Sequence, residues 1–215
     1  MKLYYSQNLN PRVAVAVARH LASPVEYVRA SPRHPDHQAA FRSINPNALV
    51  PVLVEAGRTL WETDAIACRL SQIAGSDFWR TGEEAPEMIL WVSWATHHLN
   101  AAASVLYWHR IVVPTFSDQV PDPNVINKAL GDFRRHAAVL DAQLDGRTWL
   151  VGNQVSYADF RVATTLPFAQ GAGLPVAEFP NIKRWHDPHD SPHFPPARPL
   201  RRFAPISYQI GELQG

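Results

Sequence analysis

The N-terminal side chains best suited to chemistry lie in the stretch KLYYSQNLNPRVAVA, which runs from Lys2 to Ala16. The pattern indicates a short strand, a polar loop and the start of a helix. The loop contains neither cysteine nor histidine, so the chemistry that it can supply is hydrogen bonding. Its candidate donors are Tyr5, Ser6, Asn8 and Asn10.

A second candidate site lies in ALVPVLVEAG, where Pro51 stands between a turn and a predicted internal strand. Proline has no backbone N–H to donate to the hydrogen bonds between strands, so its presence here needs an explanation. A cis Val50–Pro51 bond would turn the N–H and C=O of Val50 outward, where they could pair with an extended peptide. The alternative is a proline on an edge strand that binds no ligand.

A third candidate site is LWETDAI, where Glu62 and Thr63 fall between the end of a strand and the start of a helix. Backbone N–H groups at a helix N-terminus attract carboxylates, and the Thr63 hydroxyl adds a donor. The Glu62 carboxylate could hold an ammonium group, so the pair could clamp the head of an amino acid. The alternative is a helix capped by Thr63 beside a surface Glu62.

The first 75 residues predict the order β-α-β-α-β-β-α, which positions these three stretches. Asn10 would be the N-cap of the first helix, with Pro11 at its first position. The first two strands should be parallel and the last two antiparallel, giving a mixed sheet. The strands are predicted over Lys2–Tyr5, Val25–Arg29, Val52–Glu55 and Thr59–Trp61, and the helices over Pro11–Leu21, Asp36–Ser43 and Thr63–Ile73.

After a polar linker over residues 76–86, no strand pattern reappears. We therefore predict two domains, an α/β domain over residues 1–76 and an all-helical domain over residues 86–215. The second domain should contain a long helix over Glu87–His109 and an amphipathic helix over Asn124–Leu144. Ser156 and Asp159 form a capping-box pattern that should open a further helix.

The segments KLYYS, NPNALVPVL, WETDAI and WLVGNQVSYADF, in this order, resemble a cytosolic glutathione S-transferase. The resemblance covers nearly the whole chain and implies a thioredoxin-like N-terminal domain that binds glutathione, plus a helical domain that supplies the second-substrate pocket. It implies that Val50, before cis Pro51, pairs with the cysteinyl backbone of glutathione, and that Glu62 and Thr63 hold the γ-glutamyl head. His34, His37 or Gln38 could bind the glycine carboxylate, since Leu49 replaces the basic residue that many relatives carry.

In that family a thiol must be ionised before it can attack an electrophile, and one hydrogen-bond donor near the sulfur is enough. Members place a tyrosine, serine or cysteine in the first loop, whereas this chain has Leu9 and Asn10 at the serine and cysteine positions. The loop resembles that of the bacterial nu-class branch. Asn10 is our first choice of donor, and Tyr5, Ser6 and Asn8 follow; the alternative is that Asn10 only caps the helix.

The second-substrate pocket should be lined by the predicted long helix, and its aromatic residues suit an apolar electrophile. A core or dimer-contact stripe is an equally good interpretation of any one of them. The candidates are Trp94, His98, Ala101, Tyr107 and Trp108.

Composition excludes several classes of protein. With 20 basic and 19 acidic residues, neither sign dominates, which argues against partners such as nucleic acid or a membrane surface. The single cysteine, Cys68, excludes an internal disulfide framework and fits a reducing cytoplasm. No apolar run is long enough for a membrane span, and no signal peptide is expected. The histidine-rich run HDPHDSPH is interrupted by prolines, so we expect no metal site.

We therefore expect a cytoplasmic homodimer that transfers glutathione to a small hydrophobic electrophile. Two alternatives stay open. One is a glutathione-dependent disulfide reductase or peroxidase of the nu-class type. The other is a non-catalytic protein that binds glutathione or another ligand.

Overall fold

The computed structural model describes residues 1–186 of the 215-residue chain. The described residues divide into two compact units, one of residues 1–15 and 24–66 and one of residues 16–23 and 67–186. The predicted domain division at residues 76–86 stays a prediction. The proline-rich stretch after His186, including His189 and His193, lies outside the described residues.

The first unit is built on a four-stranded mixed sheet with the strand order β2-β1-β3-β4. The pair β1–β2 is parallel, and the pairs β1–β3 and β3–β4 are antiparallel. The predicted element order and fold class are confirmed. The strands and helices are β1 (Lys2–Tyr5), α1 (Leu9–His20), β2 (Glu26–Arg29), α2 (Pro35–Ile44), β3 (Val52–Glu55), β4 (Arg58–Trp61) and α3 (Thr63–Ile73).

The two central strands of this sheet, β1 and β3, have buried side chains, whereas β2 and β4 are largely exposed. Tyr4 lies on the face that α2 covers, with its ring edge-on to Phe41 at 5.8 Å between centroids. Val52 and Ala48 complete this cluster. Side chains alternate along a strand, so Leu3 turns to the opposite face, where it is also fully buried. Tyr5 therefore points away from the Tyr4 cluster, and its ring contacts Tyr27.

The assignment of Asn10 as the N-cap of α1 is wrong. The helix begins at Leu9, and the Asn8 carbonyl accepts a hydrogen bond from the Arg12 N–H at 3.1 Å. Pro11 is tolerated inside this first turn because an N–H there would have no acceptor within the helix. Asn10 therefore lies in the first turn of α1 rather than before it.

The turn between β3 and β4 predicts a simple gain in stability. Ala56 and Gly57 both have positive φ, 48° and 76°, as a two-residue type I′ turn requires. Alanine is disfavoured in this region, whereas asparagine adopts it readily. We expect Ala56→Asn to raise the free energy of unfolding by about 0.5–1 kcal/mol. Urea titration followed by circular dichroism would measure this, and an unchanged or lower midpoint would contradict it.

The second unit contains the remaining helices: α4 (Ala85–His97), α5 (Leu99–Tyr107), α6 (Pro123–Gln143), α7 (Tyr157–Val162), α8 (Ala169–Ala172) and α9 (Pro180–His186). The prediction of one continuous helix over Glu87–His109 is wrong. The chain breaks at His98, whose φ and ψ of −122° and −85° are not helical, and α5 ends in a π-helical turn over Trp108–Val112. No helix in residues 1–186 combines the length and apolar character needed to cross a bilayer.

Two buried polar centres organise this unit. Arg80, only 4% exposed, donates to the carbonyl of Gln154 at 2.7 Å and to the backbone and carboxylate of Asp77. The predicted capping box of Ser156 and Asp159 is present at the start of α7. The bond from Arg80 to Gln154 connects segments that lie 74 residues apart, so it fixes the loop before α7 against the segment before α4.

Candidate functional site

The register of the sheet brings the three predicted stretches of the first unit to one edge, the side of the sheet where β1 and β4 end and β3 begins. Tyr4 pairs with Val52, and Val52 pairs with Trp61. The residues that follow β1, precede β3 and follow β4 therefore lie side by side, with neighbouring strands about 4.8 Å apart. These residues are the β1–α1 loop with Ser6 and Asn8, the Val50–Pro51 pair, and Glu62 with Thr63.

The Val50–Pro51 peptide bond is cis, as the sequence predicted. Val50 is half-buried against the Tyr4 cluster, while Leu49 is exposed. The preceding turn is held by Asn45, whose side-chain amide donates to the Leu49 carbonyl at 2.9 Å and accepts from the Asn47 N–H at 3.0 Å. This orients the backbone that enters Val50.

Sequence reasoning missed Asn45, which is only 3% exposed. A signal was available, because asparagine before proline in a turn is a residue whose side chain bonds the backbone two positions on. The Asn45 side chain is buried and bonded within the turn, so its role is to position the turn.

Glu62 and Thr63 lie at the start of α3 in different environments. Glu62 is exposed and has a φ of +73°, a left-handed conformation that only glycine adopts without cost. Thr63 is 2% exposed, and its hydroxyl donates to the Asn10 carbonyl at 3.1 Å. The hydroxyl proton therefore already has an acceptor, which leaves the backbone N–H groups at the start of α3 as the donors available for a carboxylate.

The candidate thiol donors differ in how their polar groups are used. Ser6 Oγ accepts a 3.4 Å hydrogen bond from the Asn8 N–H, which leaves the serine proton free to point elsewhere. Asn10 is exposed in the first turn of α1, and its carbonyl fixes Thr63. Tyr5 is half-buried against Tyr27.

The candidates for the glycine carboxylate lie in the first turn of α2, just after β2. The rings of His34 and His37 face each other at 5.1 Å between centroids. His34 caps α2 by accepting from the Asp36 N–H at 3.4 Å. Gln38 is exposed. Because β2 runs parallel to β1, this turn follows the same edge of the sheet.

The second unit brings together only some of the predicted second-substrate residues. Tyr107 is 5% exposed and packs edge-on against Phe168, so it is a core residue. Trp108 is 48% exposed and contacts Phe116. Trp94 and His98 each approach a residue that sequence reasoning missed, His136 of α6.

His98 and Ala101 line a cavity of about 400 Å³ between α5 and α6. One part of its lining is apolar and consists of Ala101, Ala102, Val105, Val125 and Ala129. The other part is polar and consists of His97, His98, Lys128, Asp132, Arg135 and His136. The signal for the α6 residues was their helical spacing beside the apolar stripe, which places them on one side of the helix.

Residues 1–186 contain no group of three or more histidine, cysteine, aspartate or glutamate side chains arranged to hold a metal ion. Cys68 is half-buried on α3, and burial raises the pKa of its thiol. A thiol in such a setting is a poor nucleophile. Cys68 lies in the second unit, and the candidate site of the first unit offers hydrogen-bonding groups and the exposed Glu62 carboxylate.

Comparison with known proteins gives consistent matches. A sequence model of the glutathione S-transferase N-terminal domain matches residues 13–73, and one of the C-terminal domain of the same family matches residues 123–187. Rat glutathione S-transferase theta-1 is 28% identical over 68% of this chain and 63% of its own length. Glutathione S-transferase GstB of Escherichia coli K12 is 28% identical over 84% of this chain and 88% of its own length.

A pig protein, elongation factor 1-gamma, is 30% identical over 84% of this chain but only 42% of its own length. The chain thus spans less than two thirds of the rat and pig relatives. Among solved structures, human glutathione S-transferase T1-1 (the W234R mutant, apo form) has a TM-score of 0.79 at 22% identity. The superposition covers 92% of this chain and 93% of the human chain. At this identity the structural likeness establishes the fold.

Proposed function

Because the chain belongs to the glutathione S-transferase family, we propose that its first unit binds glutathione and activates the thiol for attack on a small apolar electrophile. The observation that carries the proposal is the sheet register, which aligns the β1–α1 loop, Val50 and the start of α3 along one edge. Glutathione is an extended tripeptide, and three adjacent strand ends can contact its successive parts.

The γ-glutamyl head lies at the start of α3. Its carboxylate accepts from the first N–H groups of the helix, where the helix dipole favours an anion. Its ammonium pairs with the exposed Glu62 carboxylate. The hydroxyl of Thr63 acts indirectly, since its bond to the Asn10 carbonyl ties the head-binding helix to the thiol-binding loop.

The cysteinyl segment pairs with the backbone N–H and C=O of Val50, as an added β-strand would. This pairing directs the sulfur toward the β1–α1 loop, where Asn10 is our first candidate donor and Ser6 the second. The thiolate then forms a carbon–sulfur bond as the leaving group departs with its electron pair. The glycine carboxylate lies toward α2, near His37 and Gln38.

The thiol pKa of bound glutathione tests the mechanism. A free thiol has a pKa of about 8.5, and one hydrogen bond to the thiolate lowers it by about one to two units. We expect the wild type to show this lowered pKa by thiolate absorbance, and Asn10→Ala to raise it toward the free value. Ser6→Ala and Tyr5→Phe serve as matched comparisons.

Three outcomes are informative. If only Ser6→Ala raises the pKa, serine is the donor and Asn10 is structural. If the wild-type complex has an unshifted thiol pKa, the enzymatic proposal is wrong. If the thiolate forms but reacts with disulfides rather than with carbon electrophiles, the chain is a disulfide reductase of the same fold.

A non-catalytic role is the second candidate, and the match to elongation factor 1-gamma favours it. That relative is not named as a transferase, so family membership alone does not establish an enzyme. A homodimer and a cytoplasmic location complete the proposal, and the low cysteine content supports the latter.

A further inference from the structure

Two histidines meet where the start of α5 packs against α6. The rings of His98 and His136 face each other at 5.0 Å between centroids, with 38° between their planes. Trp94, in the last turn of α4, lies beside both, with its ring centroid 6.2 Å from each. His98 is also the residue at which α4 ends and α5 begins, so this contact lies at the kink between the two helices.

The backbone keeps hydrogen bonds on both sides of the kink. The His98 N–H donates to the Trp94 carbonyl at 2.9 Å, and the Ala102 N–H donates to the His98 carbonyl at 3.1 Å. The φ and ψ of His98, −122° and −85°, nevertheless lie outside the helical region. The side chain that contacts α6 therefore belongs to the residue at which the helix changes direction.

The hydrogen bond between Arg135 and His136 requires a neutral imidazole. Nε2 of His136 lies 3.4 Å from Nη2 of Arg135, and a guanidinium can only donate. Nε2 is therefore the acceptor, and the proton of the neutral ring is on Nδ1. A second proton would bind to Nε2, where it would remove the acceptor and place two cations side by side.

The charges around His136 disfavour that second proton. On α6, Lys128 and Arg135 both contact the carboxylate of Asp132, at 2.6 and 3.0 Å, so two cations share one anion. On the facing side, His98 is a further group that can become positive. Burial lowers the pKa of His136, Arg135 and His98 lower it further, and Asp132 opposes them.

Other charged groups on the neighbouring elements have partners of their own. Arg184 of α9 donates to backbone carbonyls just beyond the end of α6. Arg134, the residue of α6 before Arg135, pairs with Glu178 through two hydrogen bonds. His97 of α4 has its Nδ1 atom 2.9 Å from a carbonyl of its own helix. Among the described residues, the charged groups that act on His136 are therefore the three already named.

We propose that the contact between His98 and His136 is an acid-sensitive latch, which holds the start of α5 against α6 while His136 is neutral and releases it when that ring is protonated. The proposal does not rest on glutathione binding, since every residue that carries it belongs to the second unit. Release frees the kink at His98 and needs no covalent change.

The direction of the pH dependence follows from the two states of the latch. In the closed state the pKa of His136 is lowered, whereas a ring released into water has its ordinary pKa, near about 6.5. The open state therefore binds a proton more readily, and opening takes up a proton. Opening should be rare and independent of pH above about pH 7, and should increase as the pH falls below about 6.5 toward the pKa of the closed state.

Hydrogen exchange of the full chain tests the latch. Protection of the backbone amides just inside α5, residues 102–105, should fall about fivefold between about pH 7.5 and about pH 5.5, the size of a charge interaction at an exposed site. The comparison uses protection factors, which remove the intrinsic effect of pH on exchange. Strands β1 and β3 of the first unit should keep their protection. His136→Gln should abolish the fall, because a glutamine carbonyl can accept from Arg135 but is not protonated.

His97→Gln is the matched control, because His97 is the exposed residue just before the kink and its Nδ1 atom lies against its own helix. It should leave the fall in protection unchanged. If His97→Gln and His136→Gln abolish the fall equally, the effect is one of general charge and the proposal is overturned. A fall that persists in His136→Gln would overturn it as well, because some other group would then be the proton acceptor.

Arg135→Met tests the same latch while both histidines stay in place. NMR titration of the His136 ring should give a higher pKa in this variant than in the wild type, and the fall in protection should become smaller, because the cation beside Nε2 is gone. Arg134→Met should change neither quantity, since Arg134 pairs with Glu178. A wild-type His136 that titrates at or above its ordinary pKa would overturn the proposal.

Discussion

Replacing Asp159 by alanine should destabilise the second unit by about 3–5 kcal/mol, a large fraction of the 5–15 kcal/mol that stabilises a typical protein. The carboxylate is fully buried and accepts four hydrogen bonds. Their donors are the N–H groups of Leu150 and Ser156, the Ser156 hydroxyl and the Trp185 indole. Alanine would leave these donors buried without their acceptor.

The size of the effect follows from the number of elements that meet at this carboxylate. Leu150 belongs to the loop before α7, Ser156 caps that helix, and Trp185 lies on α9. Burial raises the pKa of the Asp159 carboxyl, and the four hydrogen bonds oppose that effect. The buried Asp159 carboxyl is thus stabilised in the core by four donors that use its acceptor capacity.

Ser156→Ala is the graded comparison. It removes one hydroxyl from the capping box and keeps the Asp159 carboxylate, so we expect a loss of about 1 kcal/mol. Urea unfolding followed by tryptophan fluorescence would measure both variants. Equal losses for the two variants would mean that the helix cap accounts for the whole effect and that the bonds to Leu150 and Trp185 contribute little.

The features of the fold that the sequence predicted correctly are those encoded by short local patterns. Strand alternation, the proline at Pro51 and the capping pattern at Ser156 are each encoded within a few residues, and each was predicted correctly. The break at His98 has no such signal, because neither proline nor glycine marks it. Helix propensity is a weak guide that tertiary context overrides, and a single segment of sequence does not contain that context.

The candidate site likewise combines residues that the sequence predicted with contacts that no local pattern indicates. Val50, Glu62 and the β1–α1 loop were assigned to one site through the resemblance of their motifs to the family, because the predicted mixed sheet did not specify that β1 lies next to β3. The bond from Thr63 to Asn10 spans 53 residues and changes the role of the hydroxyl, and no local pattern indicates it. The cavity between α5 and α6 depends on the contact of His136 with His98, which is set by how the two helices pack and not by either segment alone.

Replacing Glu62 by glycine should change stability and ligand affinity in opposite directions. The backbone of Glu62 has a φ of +73°, which costs a residue with a side chain roughly 1–2 kcal/mol relative to glycine. Glycine loses more freedom on folding, so we expect a net gain of about 0.5–1 kcal/mol in the free energy of unfolding. The same change removes the carboxylate proposed to bind the ammonium of glutathione.

Loss of a charged hydrogen bond of about 1.5–3 kcal/mol should weaken glutathione binding roughly 10- to 100-fold, measured by isothermal titration calorimetry. Ala56→Gly is the control, because Ala56 has a similar φ of 48° but lies in the β3–β4 turn, at the opposite end of the strands. It should stabilise the protein and leave the affinity unchanged.

A gain in stability together with a loss of glutathione affinity for Glu62→Gly would identify the strained backbone of Glu62 as a requirement of binding. Backbone strain of this kind persists where the side chain must extend from a fixed place, and a residue kept there against its conformational preference indicates a functional constraint. Unchanged affinity for Glu62→Gly would assign the glutamate no role in the site. A fall in stability would mean instead that its side chain holds the start of α3, and that the ammonium of the ligand binds another group along the same sheet edge.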